Sequence, residues 1–163
     1  ASLAYLVRGE RHWDALAVSA VEVGELFSTL VLLTGALWAR VAWNTWWTWD
    51  PRLTTMLVLW LIYAGYLILR ASLEDELRRA RYAAVLGVLG FVDVPIVFMA
   101  IRWWRTLHPV ILEARGVRLE PAMVVALIVA LLAFMGLLAS LLLARLRLEA
   151  LTGEIEELRR RLL

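Results

Sequence analysis

Apolar residues gather into four long runs separated by short polar stretches, and each run has the length of a helix that crosses a bilayer. The runs cover residues 15–39, 53–69, 83–101 and 122–144. At about 1.5 Å of rise per residue, the longest traverses a hydrocarbon core roughly 30 Å thick. The shortest, 53–69, needs anchors at its boundary, which Arg52, Trp60 and Arg70 supply. A helix satisfies its own backbone in lipid, so the pattern predicts an all-α, polytopic transmembrane helix bundle of one domain. Residues 1–7 add a short apolar piece without a basic flank ahead of it or a cleavage-like site behind it. They are expected to be the tail of a helix, not a signal peptide.

Polar residues inside and beside the runs refine this outline. Asp14 stands where a helix cap would precede the first run. Glu22 and Glu25 lie three apart and share a helical face, and ionisable groups at membrane depth face protein, water or a partner charge. They are read as structural polar groups bonded to neighbouring helices, or as a polar site within the bundle. Between the second and third runs, residues 70–82 set Glu74, Asp75 and Glu76 ahead of Arg78, Arg79 and Arg81. Pairs such as Asp75 with Arg79 suit a solvated helical turn. Asp93 and Pro95 interrupt the third run and predict a buried kink whose carboxylate has a partner. Pro121 opens the fourth run, where proline is welcome. In the tail, 145–163, Leu148, Leu151, Ile155, Leu158 and Leu162 recur every three or four residues. Two heptads fall short of a coiled coil, leaving a helix lying on the bundle or one that docks a partner.

Composition supports the membrane reading. Of the 163 residues 63% are hydrophobic, well above the roughly half usual for soluble domains. The net charge of +2 is too small to argue for nucleic acid, and without cysteine there is no disulfide or thiolate-metal chemistry. All 17 basic residues are arginine, and eleven flank one side of the runs. The six opposite are Arg40, Arg52, Arg102, Arg105, Arg115 and Arg118. The positive-inside rule then puts both termini in the cytoplasm and the 40–52 loop outside.

That outer loop carries the candidate chemistry. Trp43, Trp46, Trp47 and Trp49 fall within seven positions and are followed by Asp50 and Arg52. One or two Trp at a boundary are ordinary; four make an aromatic surface for a flat, apolar guest. On the same side, Trp103 and Trp104 precede His108, the only imidazole expected there. Indoles to stack on and a nitrogen for iron are what a haem requires, and Arg52, Arg102 or Arg105 would pair with its propionates. His12, the other histidine, is expected at the opposite face, about a bilayer away, so it cannot share an iron with His108. Motifs of hydrolases, ATPases and dinucleotide enzymes are missing.

Trp43-x-x-Trp46-Trp47-x-Trp49-Asp50 followed by Pro51-Arg52-Leu53-Thr54 resembles the tryptophan-rich WWD signature of haem-handling proteins. Within that superfamily the Arg-Leu-Thr continuation is similar to CcmC, the haem exporter protein C family of cytochrome c maturation. Glu22-Val23-Gly24, Asp93-Val94-Pro95-Ile96-Val97 and Trp103-Trp104-x-Thr106-Leu107-His108 match at the right distances. The resemblance implies an inner-membrane protein that binds haem b, with the WWD loop on the periplasmic face and two outer-face histidines as axial ligands. It implies work beside an ABC transporter module, CcmA and CcmB, the small protein CcmD and the haem chaperone CcmE. Carried over by residue, His108 matches the second ligand, and Trp43, Trp46, Trp47, Trp49 and Asp50 match the loop. The family usually has six spans with the first ligand between spans one and two. This sequence shows four and a stub, so it is expected to be a shortened member or to begin partway through a longer one. A second hypothesis is a non-haem structural subunit of an ABC exporter complex, with the Trp loop an interfacial belt.

Overall fold

A computed structural model describes residues 1–109, 112–113, 116–117 and 119–162. It is built from α1 (Ser2–Arg8), α2 (Arg11–Trp43), α3 (Pro51–Ser72), α4 (Glu76–Trp103) and α5 (Pro121–Leu162). A two-residue antiparallel ladder, β1 (Leu112–Glu113) with β2 (Gly116–Val117), leaves the all-α architecture unchanged. Four helices are long and apolar enough to cross a membrane: Arg11–Trp43, Pro51–Ser72, Glu76–Trp103 and, within α5, Pro121–Ile155. Arg115 and Arg118, counted above for orientation, lie outside the described residues.

The helices run further than the apolar runs do, because polar ends add turns in the headgroup region. The loop expected over 40–52 shrinks to 44–50. Trp43 ends α2, and Asn44 stops it in the left-handed region at φ 56°. Arg40 holds that stop by donating to the Asn44 carbonyl at 2.9 Å and to its Oδ1 at 2.7 Å. Pro51 occupies the first turn of α3, where its missing N–H is no loss.

One expected cap and one expected ion pair are corrected. α2 begins at Arg11 after Glu10, so Asp14 lies inside its first turn. It accepts two bonds from the Arg70 guanidinium, at 2.6 and 3.0 Å, and ties α2 to the last turn of α3. Residues 76–82 are the first turns of α4, and only 73–75 connect it to α3. Asp75 caps α4 through Leu77 N and Arg78 N at 2.9 and 3.0 Å. The bond from the Arg78 N–H holds its carboxyl below the ordinary carboxylate range, and its ion pair is with Arg78, not with Arg79.

The core lies where α2, α3 and α4 meet, around Val18, Val21, Tyr66 and Ala83. The Tyr63 ring is wedged between helices: a Cβ on Gly24 would stand 3.3 Å from it, and one on Gly90 only 2.5 Å. Small residues let helices approach in lipid, where hydrophobic exclusion does not press them together. Trp60 is not a boundary anchor, since its Nε1 donates to Thr29 Oγ1 of α2 at 2.8 Å. α4 stays helical through Pro95, and buried Asp93 lacks the expected partner, its Oδ2 making no hydrogen bond among the described residues.

α5 stands to one side. It meets α2 through an edge-on contact of Phe27 with Phe134 and an ion pair of Arg145 with Glu22, while no residue of its most apolar stretch is buried. Glu25, three residues from Glu22, accepts from Ser28 within α2. The tail, expected to lie on the bundle or to dock a partner, continues α5 unbroken and does not lie on the bundle, with Leu148, Leu151, Ile155, Leu158 and Leu162 all exposed. A run of strong helix formers without proline gives the chain no place to turn.

Candidate functional site

Asp50 is the joint of the site. As the residue before α3 it caps that helix, its Oδ1 accepting from Arg52 N at 2.9 Å. The same carboxylate reaches the segment that leaves α4. Oδ2 accepts from Thr106 Oγ1 at 2.5 Å and from Leu107 N at 2.8 Å, and Oδ1 lies 3.2 Å from His108 Nδ1. Four contacts on one side chain that is only 3% exposed draw the Trp-rich loop and His108 to the same end of the bundle.

Burial sets the electrostatics of the pair. Burial alone would raise the Asp50 carboxyl, but the hydrogen bonds from Thr106, Leu107 and Arg52, with His108 nearby, hold it below its ordinary value. Burial pushes the His108 imidazole below 6.5, Asp50 pulls it back up, and Arg52 pushes it down again, with a net lowering. The ion-pair geometry and the lowered imidazole agree once the ring is neutral: Nδ1–H donates to the carboxylate, and Nε2 carries a lone pair. Nε2 makes no hydrogen bond among the described residues. A carboxylate on one ring nitrogen fixes the tautomer and raises the basicity of the other, the arrangement found behind metal-ligating histidines.

Aromatic rings surround this joint in separate groups. Trp43 meets the His108 ring edge-on at 5.1 Å, and Trp38 meets Trp43 at 5.0 Å. Trp47 packs against Trp49 and Trp103 against Trp104, each pair at 5.8 Å, while Arg40 lies over the Trp46 ring. Trp46, Trp49, Trp103 and Trp104 are all at least half exposed, Trp49 at 75%. An open cleft of about 440 Å³ runs between Trp49, Asp50, Arg105 and Leu107. The Arg52 and Arg102 side chains are exposed, with Arg102 over the Phe98 ring. His12 lies at the far end of α2, about 45 Å from Trp43 along the helix, beside Glu10 and Trp13.

Two features escaped the sequence reading: the role of Trp38, an indole that reads as part of the first apolar run, and the Asp50 to His108 contact, which joins distant parts of the chain. Thr106 was legible only as part of the stretch leading to His108; its bond to Asp50 was not.

The family model described as "Heme exporter protein C", CcmC, matches residues 1–161. The chain belongs to the CcmC family. Similar relatives carrying the name Heme exporter protein C include a Bradyrhizobium diazoefficiens protein, 39% identical over 97% of this chain, and a Haemophilus influenzae protein, 36% identical over 82%. One from Escherichia coli K12 is 37% identical over 81%. These matches take in 61%, 55% and 54% of the relatives' own lengths, so the chain spans little more than half of a CcmC relative. Within this CcmC chain the Trp-rich loop and His108 are brought together; His12 is not part of the group.

Proposed function

We propose that this chain binds haem b at the Trp-rich boundary, with His108 Nε2 as an axial ligand to the iron, and serves haem handling in cytochrome c maturation. The observation that carries the reading is the Asp50 to His108 contact, which engages Nδ1 and leaves Nε2 without a hydrogen bond among the described residues, beside the Trp43 ring. The donor set fits the group: imidazole for iron, aromatic faces for the macrocycle, and Arg52, Arg102 and Arg105 at the rim for propionates. Haem bound here would supply an iron that accepts an imidazole nitrogen; the chain's part is to keep one ring nitrogen deprotonated, oriented and shielded on one side. Trp43, Trp46, Trp47, Trp49, Trp103 and Trp104 are the stacking surface, with Asp50 the positioning residue.

In the larger setting, this site faces the periplasmic side of a bacterial inner membrane, with both termini cytoplasmic, and presents haem to the chaperone CcmE beside CcmA, CcmB and CcmD. The arginine asymmetry supports the orientation, and the relatives' name, Heme exporter protein C, supports the haem role. A scaffolding role has one observation in its favour, the long exposed apolar face of α5, which suits helix contacts with another membrane subunit. The deciding experiment is haem copurification. With His108→Ala, haem retention should fall while the helical content and detergent stability persist; an unchanged haem spectrum would overturn the ligand role.

A further inference from the structure

A second cleft, of about 490 Å³, opens at the end of the bundle opposite the Trp-rich loop, between α2, α3, α4 and α5. Its floor is apolar, with Val18 and Leu67, and its walls carry Arg70, Arg79, Arg145 and Glu149. Two of the guanidiniums are committed. Arg70 binds Asp14 through two bonds, and Arg145 binds both Glu22 oxygens and Glu149 Oε2. Arg79 is not committed: its Nε is buried without a hydrogen-bond partner, and its guanidinium pairs with no carboxylate among the described residues. Across the same cleft Glu149 keeps Oε1 unengaged. Arg79 and Glu149 thus face one cavity with opposite charge, yet form no ion pair with each other.

We propose that this cleft binds a phosphoethanolamine headgroup, its phosphate on Arg79 and its ammonium on Glu149. A buried guanidinium N–H without a partner is costly, and a phosphate oxygen satisfies it with a charge-assisted bond. A purely anionic headgroup fits less well, because three arginines meet three carboxylates here, Asp14, Glu22 and Glu149, and the wall carries no excess positive charge. A zwitterion bridges the two separated charges and leaves the balance intact. The site lies a span's length from the Trp loop: Arg70 is about 30 Å along α3 from Pro51, which puts it at the second water boundary, where headgroups reside. Pockets between spanning helices at such a boundary hold lipid headgroups, and Val18 and Leu67 would lie against the glycerol and first methylenes.

The test is native mass spectrometry of the delipidated protein titrated with phosphatidylethanolamine, phosphatidylcholine and phosphatidylglycerol, with inorganic phosphate as competitor. Phosphatidylethanolamine should bind about tenfold more tightly than either other lipid, since choline cannot donate hydrogen bonds to Glu149 and glycerol carries no cation. Arg79→Gln should remove most of that binding, and Glu149→Gln should erase the preference over phosphatidylcholine. Arg79→Lys keeps the charge without the fork and should give an intermediate loss, so the assignment stays testable if Arg79→Gln folds poorly. Equal binding of the three lipids, or unchanged binding in Arg79→Gln, overturns the proposal. Competition by millimolar phosphate as effective as the lipid assigns the cleft to free phosphate and overturns it too, as does a copurified polypeptide that blocks lipid binding. Haem spectra should be unchanged in Arg79→Gln, which separates this site from the Trp-rich one.

Discussion

Oδ1 of Asp50 stands 3.2 Å from Nδ1 of His108, joining the residue that caps α3 to a residue beyond the end of α4. Asp50 thereby has two separable tasks, capping a helix and orienting an imidazole. Asp50→Asn retains the cap, because Asn is as good an N-cap as Asp, but loses the carboxylate that holds the Nδ1 proton. Haem affinity in Asp50→Asn should drop about 10- to 100-fold with little change in thermal stability. Titration of the apo protein followed by absorbance would show it; equal affinities in the two proteins would refute the orienting role.

The same pair sets a pH dependence. The folded protein lowers the His108 pKa from 6.5, chiefly by burial, so the contribution of its neutral ring to stability is fully present above 6.5. That contribution is lost as pH falls from 6.5 through the lowered value, because the unfolded chain takes up its proton first. Haem ligation, which needs the neutral ring, should therefore persist somewhat below pH 6.5. Arg52→Gln removes a positive neighbour and should move the loss of ligation to higher pH. Asp50→Asn removes an anion and should lower the pKa of the His108 ring itself. Opposite displacements of the His108 ring titration, followed by NMR in the haem-free proteins, are the expected outcome, and displacements of equal sign would contradict the assigned charges.

Gly90 admits no side chain. A Cβ there would stand 2.5 Å from Tyr63 Cε1, and the ring is already confined from the other side by Gly24. Gly90→Ala should destabilise the bundle by about 1–3 kcal/mol, as overpacking does. Gly35→Ala, with nothing within 4 Å, is the control and should be near neutral or better. Pairing Gly90→Ala with Tyr63→Ala should recover part of the loss, measured by thermal unfolding in detergent.

Arg145 fastens α5 to α2 through Glu22, and Phe27 with Phe134 is a second tie among the described residues. Arg145→Met leaves Glu22 without its partner and should loosen α5 more than it unfolds the rest. Spin labels on α2 and α5 should report a broadened distance distribution, while the α3 to α4 distance stays as it was. A distribution no broader than that of the parent protein would show that apolar packing alone holds α5.

The spans and the aromatic loop were legible in the sequence, because lipid imposes a one-dimensional rule: long apolar runs become helices whatever their neighbours do. Helix ends were less legible. Polar residues such as Arg11, Arg40 and Glu76 continue a helix as readily as a loop once it lies in the headgroups, so α2 and α4 outgrew their apolar runs. Trp60 illustrates the same difficulty, since an indole in a short span reads as an anchor until a hydroxyl such as that of Thr29 is placed beside its N–H.

The chain by itself determined that this is a membrane bundle with a Trp-rich loop at one boundary and a histidine after the third span, since burial in lipid is written into the order of apolar and polar residues. Tertiary structure alone decided which carboxylate serves which cation. Asp14 went to Arg70, Glu22 to Arg145 and Asp50 to His108, none of them to a sequence neighbour. Charges in a low-dielectric setting bind whatever partner the packed helices bring within about 3 Å, and that proximity is set by how helices cross, which periodicity does not encode.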